Sequence, residues 1–138
     1  MLQPTLKRSI FQRILGICAT PTPRDAGCWR IEGNRVVVDL ARAPELAERY
    51  GAVRLEGRGL ARRILVFRDG DGRVHALHNR CGHMARRLDP VPGATGVQCC
   101  SLGVSRYDDE GHVQGGLSHA DVARFPVTEE EGRLVIAT

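Results

Sequence analysis

The chain has few aromatic side chains, almost no lysine and no long apolar run. Six of its 138 residues are aromatic and Lys7 is the only lysine, so the net charge of +4 rests on arginines spread along the sequence. A nucleic-acid-binding protein concentrates basic residues and interleaves them with aromatics, and we therefore predict that the chain does not bind nucleic acid. No apolar run reaches the ~20 residues of a membrane-spanning helix, so stable membrane insertion is not expected.

The cysteine content excludes a secreted disulfide-rich domain. Five cysteines in 138 residues are too few for such a scaffold, and their odd number leaves at least one thiol unpaired. The first residues resemble an export signal only weakly, because the uncharged run over 14–23 contains two prolines and few apolar side chains. We expect a cytoplasmic protein whose β domain folds as one unit.

Short strand patterns separated by glycine turns dominate the chain after residue 33. The sequence Asp69-Gly-Asp-Gly72 predicts a hairpin turn, since glycine there accepts positive φ angles, and residues 43–49 predict a short helical turn. These features predict an all-β, antiparallel sandwich or small barrel over residues 34–138. Apolar spacing over 5–17 predicts a helix in an N-terminal arm of residues 1–33. The predicted strands are 35–40, 52–56, 63–68, 73–78, 123–128 and 133–137.

Two short stretches carry soft metal ligands. The first is Cys81-Gly-His83, and the second, after fifteen intervening residues, is Cys99-Cys100-Ser-Leu-Gly103. Thiolate and imidazole are the groups that hold iron–sulfur clusters. A hairpin precedes the first stretch, and the strand-like Phe125-Pro-Val-Thr follows the second. In this order the chain resembles the Rieske iron–sulfur family from about residue 34 to its C terminus.

The resemblance implies a 2Fe–2S cluster held by two loops, residues 79–88 and 98–108, at one end of a small β domain. It also implies that Cys81 and Cys100 bind one iron and that His83 binds the other. In high-potential members of the family, a serine and a tyrosine follow the second cysteine at the positions of Ser105 and Tyr107. The resemblance implies that Ser105 donates a hydrogen bond to a bridging sulfide and Tyr107 donates one to a cysteine sulfur.

The fourth ligand position departs from the family pattern. Gly103 stands where the second histidine belongs, and glycine has no side chain to bind iron. Cys99 is the nearest thiol, although neighbouring residues of an extended strand point to opposite faces, so a bend at Cys99-Cys100 would be required. A cysteine of the N-terminal arm, Cys18 or Cys28, and His112 remain alternatives.

The resemblance implies a ferredoxin-like electron carrier that exchanges single electrons with a reductase and an oxygenase, and no catalysis by this chain alone. Two alternatives stay open. One is an accessory subunit that keeps the Rieske fold without a cluster. The other is a metal-binding protein, with zinc on the same cysteines and His83, or a thiol redox sensor that uses Cys99 and Cys100.

Overall fold

The computed structural model describes residues 20–80, 87–91, 96–99, 106–115 and 121–138. Within these ranges the chain forms short antiparallel strands joined by turns, which confirms the predicted all-β class. The predicted helix over 5–17 lies outside the described residues. Three 3-10 turns span Ala26–Cys28, Leu40–Arg42 and Pro44–Leu46. The strands are β1 (Trp29–Glu32), β2 (Arg35–Asp39), β3 (Ala52–Leu55), β4 (Ile64–Arg68), β5 (Val74–His78), β6 (Leu88–Pro90), β7 (Val97–Cys99), β8 (Arg106–Tyr107), β9 (Val113–Gly115), β10 (Val127–Glu130) and β11 (Arg133–Ala137).

The first sheet joins the two ends of the β domain. Its strand order is β1-β2-β11-β10, and β11 pairs with β2 through Leu134↔Val38 and Ile136↔Val36. The edge strand β1 lies within the stretch that we predicted as the N-terminal arm. The domain boundary after residue 33 itself stays a prediction.

The second sheet has the order β3-β4-β5, and its β4–β5 hairpin turns at residues 69–73. The predicted turn is present. Gly72 has φ +84°, and the side chain of Asp69 accepts hydrogen bonds from the backbone N–H groups of Asp71 and Arg73 at 2.8 and 3.0 Å. These bonds satisfy donors that the tight turn leaves without strand partners.

Both faces of the β4–β5 hairpin are buried. Ile64 and Val66 belong to a core against the first sheet, whereas Leu65 and Phe67 belong to a second core against the third sheet. Because successive strand residues face opposite sides, a continuous apolar run is what such a central strand requires. The hairpin is therefore a rigid layer between the two other sheets.

The third sheet is a meander with the order β6-β7-β8-β9. Leu88, Val97 and Tyr107 from its first three strands pack into the second core. None of these strands was predicted. The strand predicted over 123–128 begins instead at Val127: Pro126 has no N–H for a ladder, and Arg124 forms only an isolated bridge with Leu77.

A search for membrane spans among the described residues finds no helix with the length and apolar character to cross a bilayer.

Candidate metal centre

The strands place the bases of the two predicted loops next to each other. The first loop leaves β5 and returns in β6, and the second leaves β7 and returns in β8. Since β6 pairs with β7 through Leu88↔Cys99, the end of the first loop lies one strand spacing, about 5 Å, from the start of the second. Among the predicted site residues, Cys81, His83, Cys100 and Ser105 lie outside the described residues. Cys99 is described as the last residue of β7.

A buried asparagine closes the base of the first loop. Asn79 is 0% exposed, and its Oδ1 accepts a hydrogen bond from the backbone N–H of Leu88 at 2.7 Å. Its own N–H donates to the carbonyl of Arg63 at 2.8 Å. The residues that flank the loop are thus tied together and to β4. The Nδ2 atom of Asn79 is buried and has no hydrogen-bond partner in the described part of the chain.

A second buried amide lies at the base of the second loop. Gln98 is 0% exposed and sits between Asp89 of β6 and Arg106 of β8 in the register of the sheet. Both polar atoms of its amide lack a partner among the described residues. Asn79 and Gln98 each stand two positions before a predicted cysteine ligand, Cys81 and Cys100.

The described chain also begins beside this sheet. The backbone N–H of Thr20 donates to Oδ1 of the buried Asp89 at 2.8 Å, and the carbonyl of Thr20 accepts from Nε of Arg54 at 2.9 Å. The chain therefore enters the fold next to β6, one strand away from Gln98.

A half-buried ion-pair network lies at the far end of the first loop. The carboxylate of Glu56 accepts hydrogen bonds from Nε and Nη2 of Arg87 and, at 2.9 Å, from Nη1 of Arg54. Although burial raises the pKa of Glu56, the hydrogen bonds from Arg87 and Arg54 outweigh it and lower the pKa overall. Glu56 is thus a carboxylate at neutral pH, and its hydrogen bonds connect Arg87 to the end of β3.

Tyr107, predicted to support the cluster, is 2% exposed in β8. It lies opposite Val97 in the register and packs in the second core. The tyrosine is therefore a rigid element at the return of the second loop.

The described histidines have different surroundings. His78 is half-buried, and burial lowers its pKa, followed by the charges of Arg62, Arg80 and Arg63. His112, an alternative fourth ligand, is exposed and its Nδ1 lies 3.0 Å from Oδ2 of Asp108. That hydrogen bond raises the pKa of His112. This contact engages Nδ1 of His112 in the turn between β8 and β9 and leaves Nε2 as the ring atom that could bind a metal.

Cys28, another alternative ligand, is a core residue. Its thiol is unpaired and 1% exposed, and it belongs to the first core. Burial raises the pKa of the Cys28 thiol, and the charges of Glu45 and Asp25 raise it further. Cys28 therefore packs in the core between the first and second sheets, which contains no residue of the third sheet among the described residues.

The sequence analysis did not identify one further group of potential ligands. The ligand atoms of Asp69, His75 and Asp109 lie within 4.8 Å of one another. Asp69 also caps the hairpin turn and bonds Nε2 of His75 at 2.7 Å, while Asp109 accepts from the N–H of Gly96 at 2.7 Å. These hydrogen bonds indicate that the three side chains serve to order turns. No local spacing connects them in the sequence.

Comparisons with known proteins bear on the fold and on the family of the chain. No curated protein matches the sequence. Among solved structures, the chain is similar to the ferredoxin of carbazole 1,9a-dioxygenase from Nocardioides aromaticivorans IC177, with a TM-score of 0.55 and 21% identity. The match covers 65% of this chain and 86% of that one, and it supports the fold. The family model of the Rieske [2Fe-2S] domain matches residues 36–126, which is more than half of the sequence. The chain belongs to the Rieske [2Fe-2S] domain family.

Proposed function

We propose that this protein transfers single electrons through an atypical 2Fe–2S cluster, as a ferredoxin-like carrier. The observation that carries the proposal is the pairing of Leu88 with Cys99, which sets the bases of both ligand-bearing loops side by side in a Rieske-family domain. A 2Fe–2S cluster supplies a centre that takes up and releases one electron.

The two buried amides support a cluster at this position. A buried N–H without an acceptor costs about 1–3 kcal/mol, so Nδ2 of Asn79 and Nε2 of Gln98 are expected to have acceptors when the site is complete. Thiolate and sulfide sulfur atoms accept such hydrogen bonds around iron–sulfur clusters. Together with the cysteines and His83 of the loops, these donors fit a 2Fe–2S cluster.

We assign Cys81, His83 and Cys100 as ligands and Cys99 as the fourth. Cys99 is the last residue of β7, and beyond a strand end the backbone no longer has to alternate its side chains between faces. A third thiolate adds negative charge, and we therefore expect a lower reduction potential than that of a cluster with two histidines. Ser105 and Tyr107 would raise the reduction potential by donating hydrogen bonds to sulfur.

The proposed partners are a reductase that supplies the electron and an oxygenase that receives it. One solved structure that this chain matches is named as the ferredoxin of a dioxygenase. A small carrier suits that task because its partners can approach its centre closely. In this proposal the chain itself catalyses no reaction on a substrate.

Iron and acid-labile sulfide analysis of anaerobically purified protein tests the proposal. We expect two irons and two sulfides per chain, the composition of a 2Fe–2S cluster. Cys99→Ala should lower the iron content, whereas Cys28→Ala should leave it unchanged, because Cys28 is a core thiol. Loss of iron in Cys18→Ala but not in Cys99→Ala would refute the ligand assignment. Zinc without iron, or no metal, would refute the proposed function.

A further inference from the structure

The fold gathers three arginines beside the start of the first loop. Arg62 and Arg63 precede β4, and Arg80 follows β5. Because the antiparallel register pairs Ile64 with His78, the residues before β4 lie opposite the residues after β5. Arg80 directly precedes Cys81. We call Arg62, Arg63 and Arg80 the arginine surface.

Local contacts hold this surface in place. The guanidinium of Arg62 lies 4.8 Å from the centre of the Phe125 ring. Nε of Arg63 donates to the carbonyl of Asn79 at 3.1 Å, and the backbone N–H of Arg80 donates to the carbonyl of His78 at 2.7 Å. The guanidinium groups of Arg62 and Arg63 are thus ordered, and an ordered guanidinium loses less entropy when it binds a carboxylate.

Two of the three arginines lack a neutralising carboxylate in the part of the chain that the structure describes. Arg62 and Arg80 are exposed, and within the described ranges no carboxylate lies at salt-bridge distance from either. Several arginines elsewhere are paired with carboxylates, as Arg42 is with Asp25 and Arg68 with Glu129.

The same three arginines affect the neighbouring His78. Burial lowers the pKa of His78 most, and the charges of Arg62, Arg80 and Arg63 lower it further. The surface around the start of the first loop is therefore positive.

We propose that the arginine surface binds the acidic face of a protein redox partner and aligns it with the first loop. This inference rests on the proposed function and adds the sign of the partner's charge. Exposed charges of one sign accelerate encounter with a complementary surface and fix its orientation. Nucleic acid is the less suitable polyanion, because single strands bind on aromatic platforms and the aromatic ring that the described residues place here, Phe125, is already covered by Arg62.

Binding of a fluorescein-labelled decaglutamate peptide to the full-length protein, followed by fluorescence anisotropy at low ionic strength, tests the inference. The variant Arg62→Gln/Arg80→Gln should lower the affinity by about fivefold or more. The matched control is Arg49→Gln/Arg73→Gln, which removes the same charge. Arg73 is exposed at the opposite, turn end of the hairpin. This control should change the affinity by less than about twofold.

Equal losses in both variants, or no measurable binding to the unmodified protein, would overturn the inference. The peptide requires no cluster for binding, and the iron content of the same samples is measured separately. A protein that contains iron but does not discriminate between the two variants refutes only the docking surface. A protein without iron refutes the proposed function.

Discussion

At the residue scale, Asn79 and Gln98 are buried amides at the bases of the two loops. Both are polar yet 0% exposed, and each stands two positions before a cysteine of the motif. The sequence analysis gave neither a role, because the burial of an amide depends on distant packing partners. For Asn79 that partner is the N–H of Leu88, which becomes its neighbour only when the first loop closes.

Asn79→Ala should destabilise the protein by about 2 kcal/mol, because it leaves the buried N–H of Leu88 without an acceptor. The measurement is the free energy of unfolding in urea. Asn34→Ala is the matched control: Asn34 is the only other asparagine and is exposed, so it should cost less than about 0.5 kcal/mol. Equal effects of the two substitutions would contradict the role assigned to Asn79.

His78 should make stability depend on pH. Its pKa in the folded protein lies below the ordinary value of 6.5 because of burial and then the nearby arginines. As pH falls through about 6.5, the unfolded chain takes up the proton first, so folding loses stability. The measurement is the free energy of unfolding in urea between about pH 5.5 and 8. As the pH falls, the wild type should lose more of this free energy than His78→Gln does, so the difference between the two proteins should depend on pH. A difference independent of pH would contradict the assigned surroundings of His78.

At the scale of elements, the longer apolar strands were predictable from the sequence and the short polar strands were not. The predicted strands 35–40, 52–56, 63–68, 73–78 and 133–137 correspond to β2, β3, β4, β5 and β11. The strands β6 to β8 have two or three residues each, and their buried Asp89 and Gln98 break the apolar pattern. Pairing between distant strands such as β2 and β11 cannot be predicted from the residues of either strand alone.

The β2–β11 pairing should contribute strongly to stability. Ile136 is 0% exposed opposite Val36, and Ile136→Ala should cost about 3 kcal/mol of the free energy of unfolding through lost burial and a cavity. Its neighbour Val135 is only half-buried, and Val135→Ala should cost under about 1.5 kcal/mol. Urea unfolding of both variants is the measurement, and similar losses would argue against this register.

At the scale of the whole molecule, charge that is scattered in the sequence is concentrated by the fold. In the sequence the arginines are spread along the chain. The hairpin register instead brings Arg62 and Arg63 opposite Arg80. This grouping could not be predicted without knowing which strands pair and in which register.

The arginine surface should set the salt dependence of electron transfer. Ferricyanide, an anion, takes one electron from the reduced protein and becomes ferrocyanide, and added salt should slow this reaction by screening attraction. The cationic oxidant hexaammineruthenium(III) should instead react faster with added salt. Arg62→Gln/Arg80→Gln should weaken both trends in stopped-flow measurements, and Arg49→Gln/Arg73→Gln should preserve them. The same salt dependence for both oxidants would contradict a positive surface beside the loops.

Electron paramagnetic resonance of the anaerobically purified, dithionite-reduced protein tests the central claim most directly. A 2Fe–2S centre that has accepted one electron leaves one unpaired spin, so we predict a signal that integrates to one spin per chain and disappears on oxidation. Reduced protein that gives no such signal and contains no iron would contradict electron transfer by this chain.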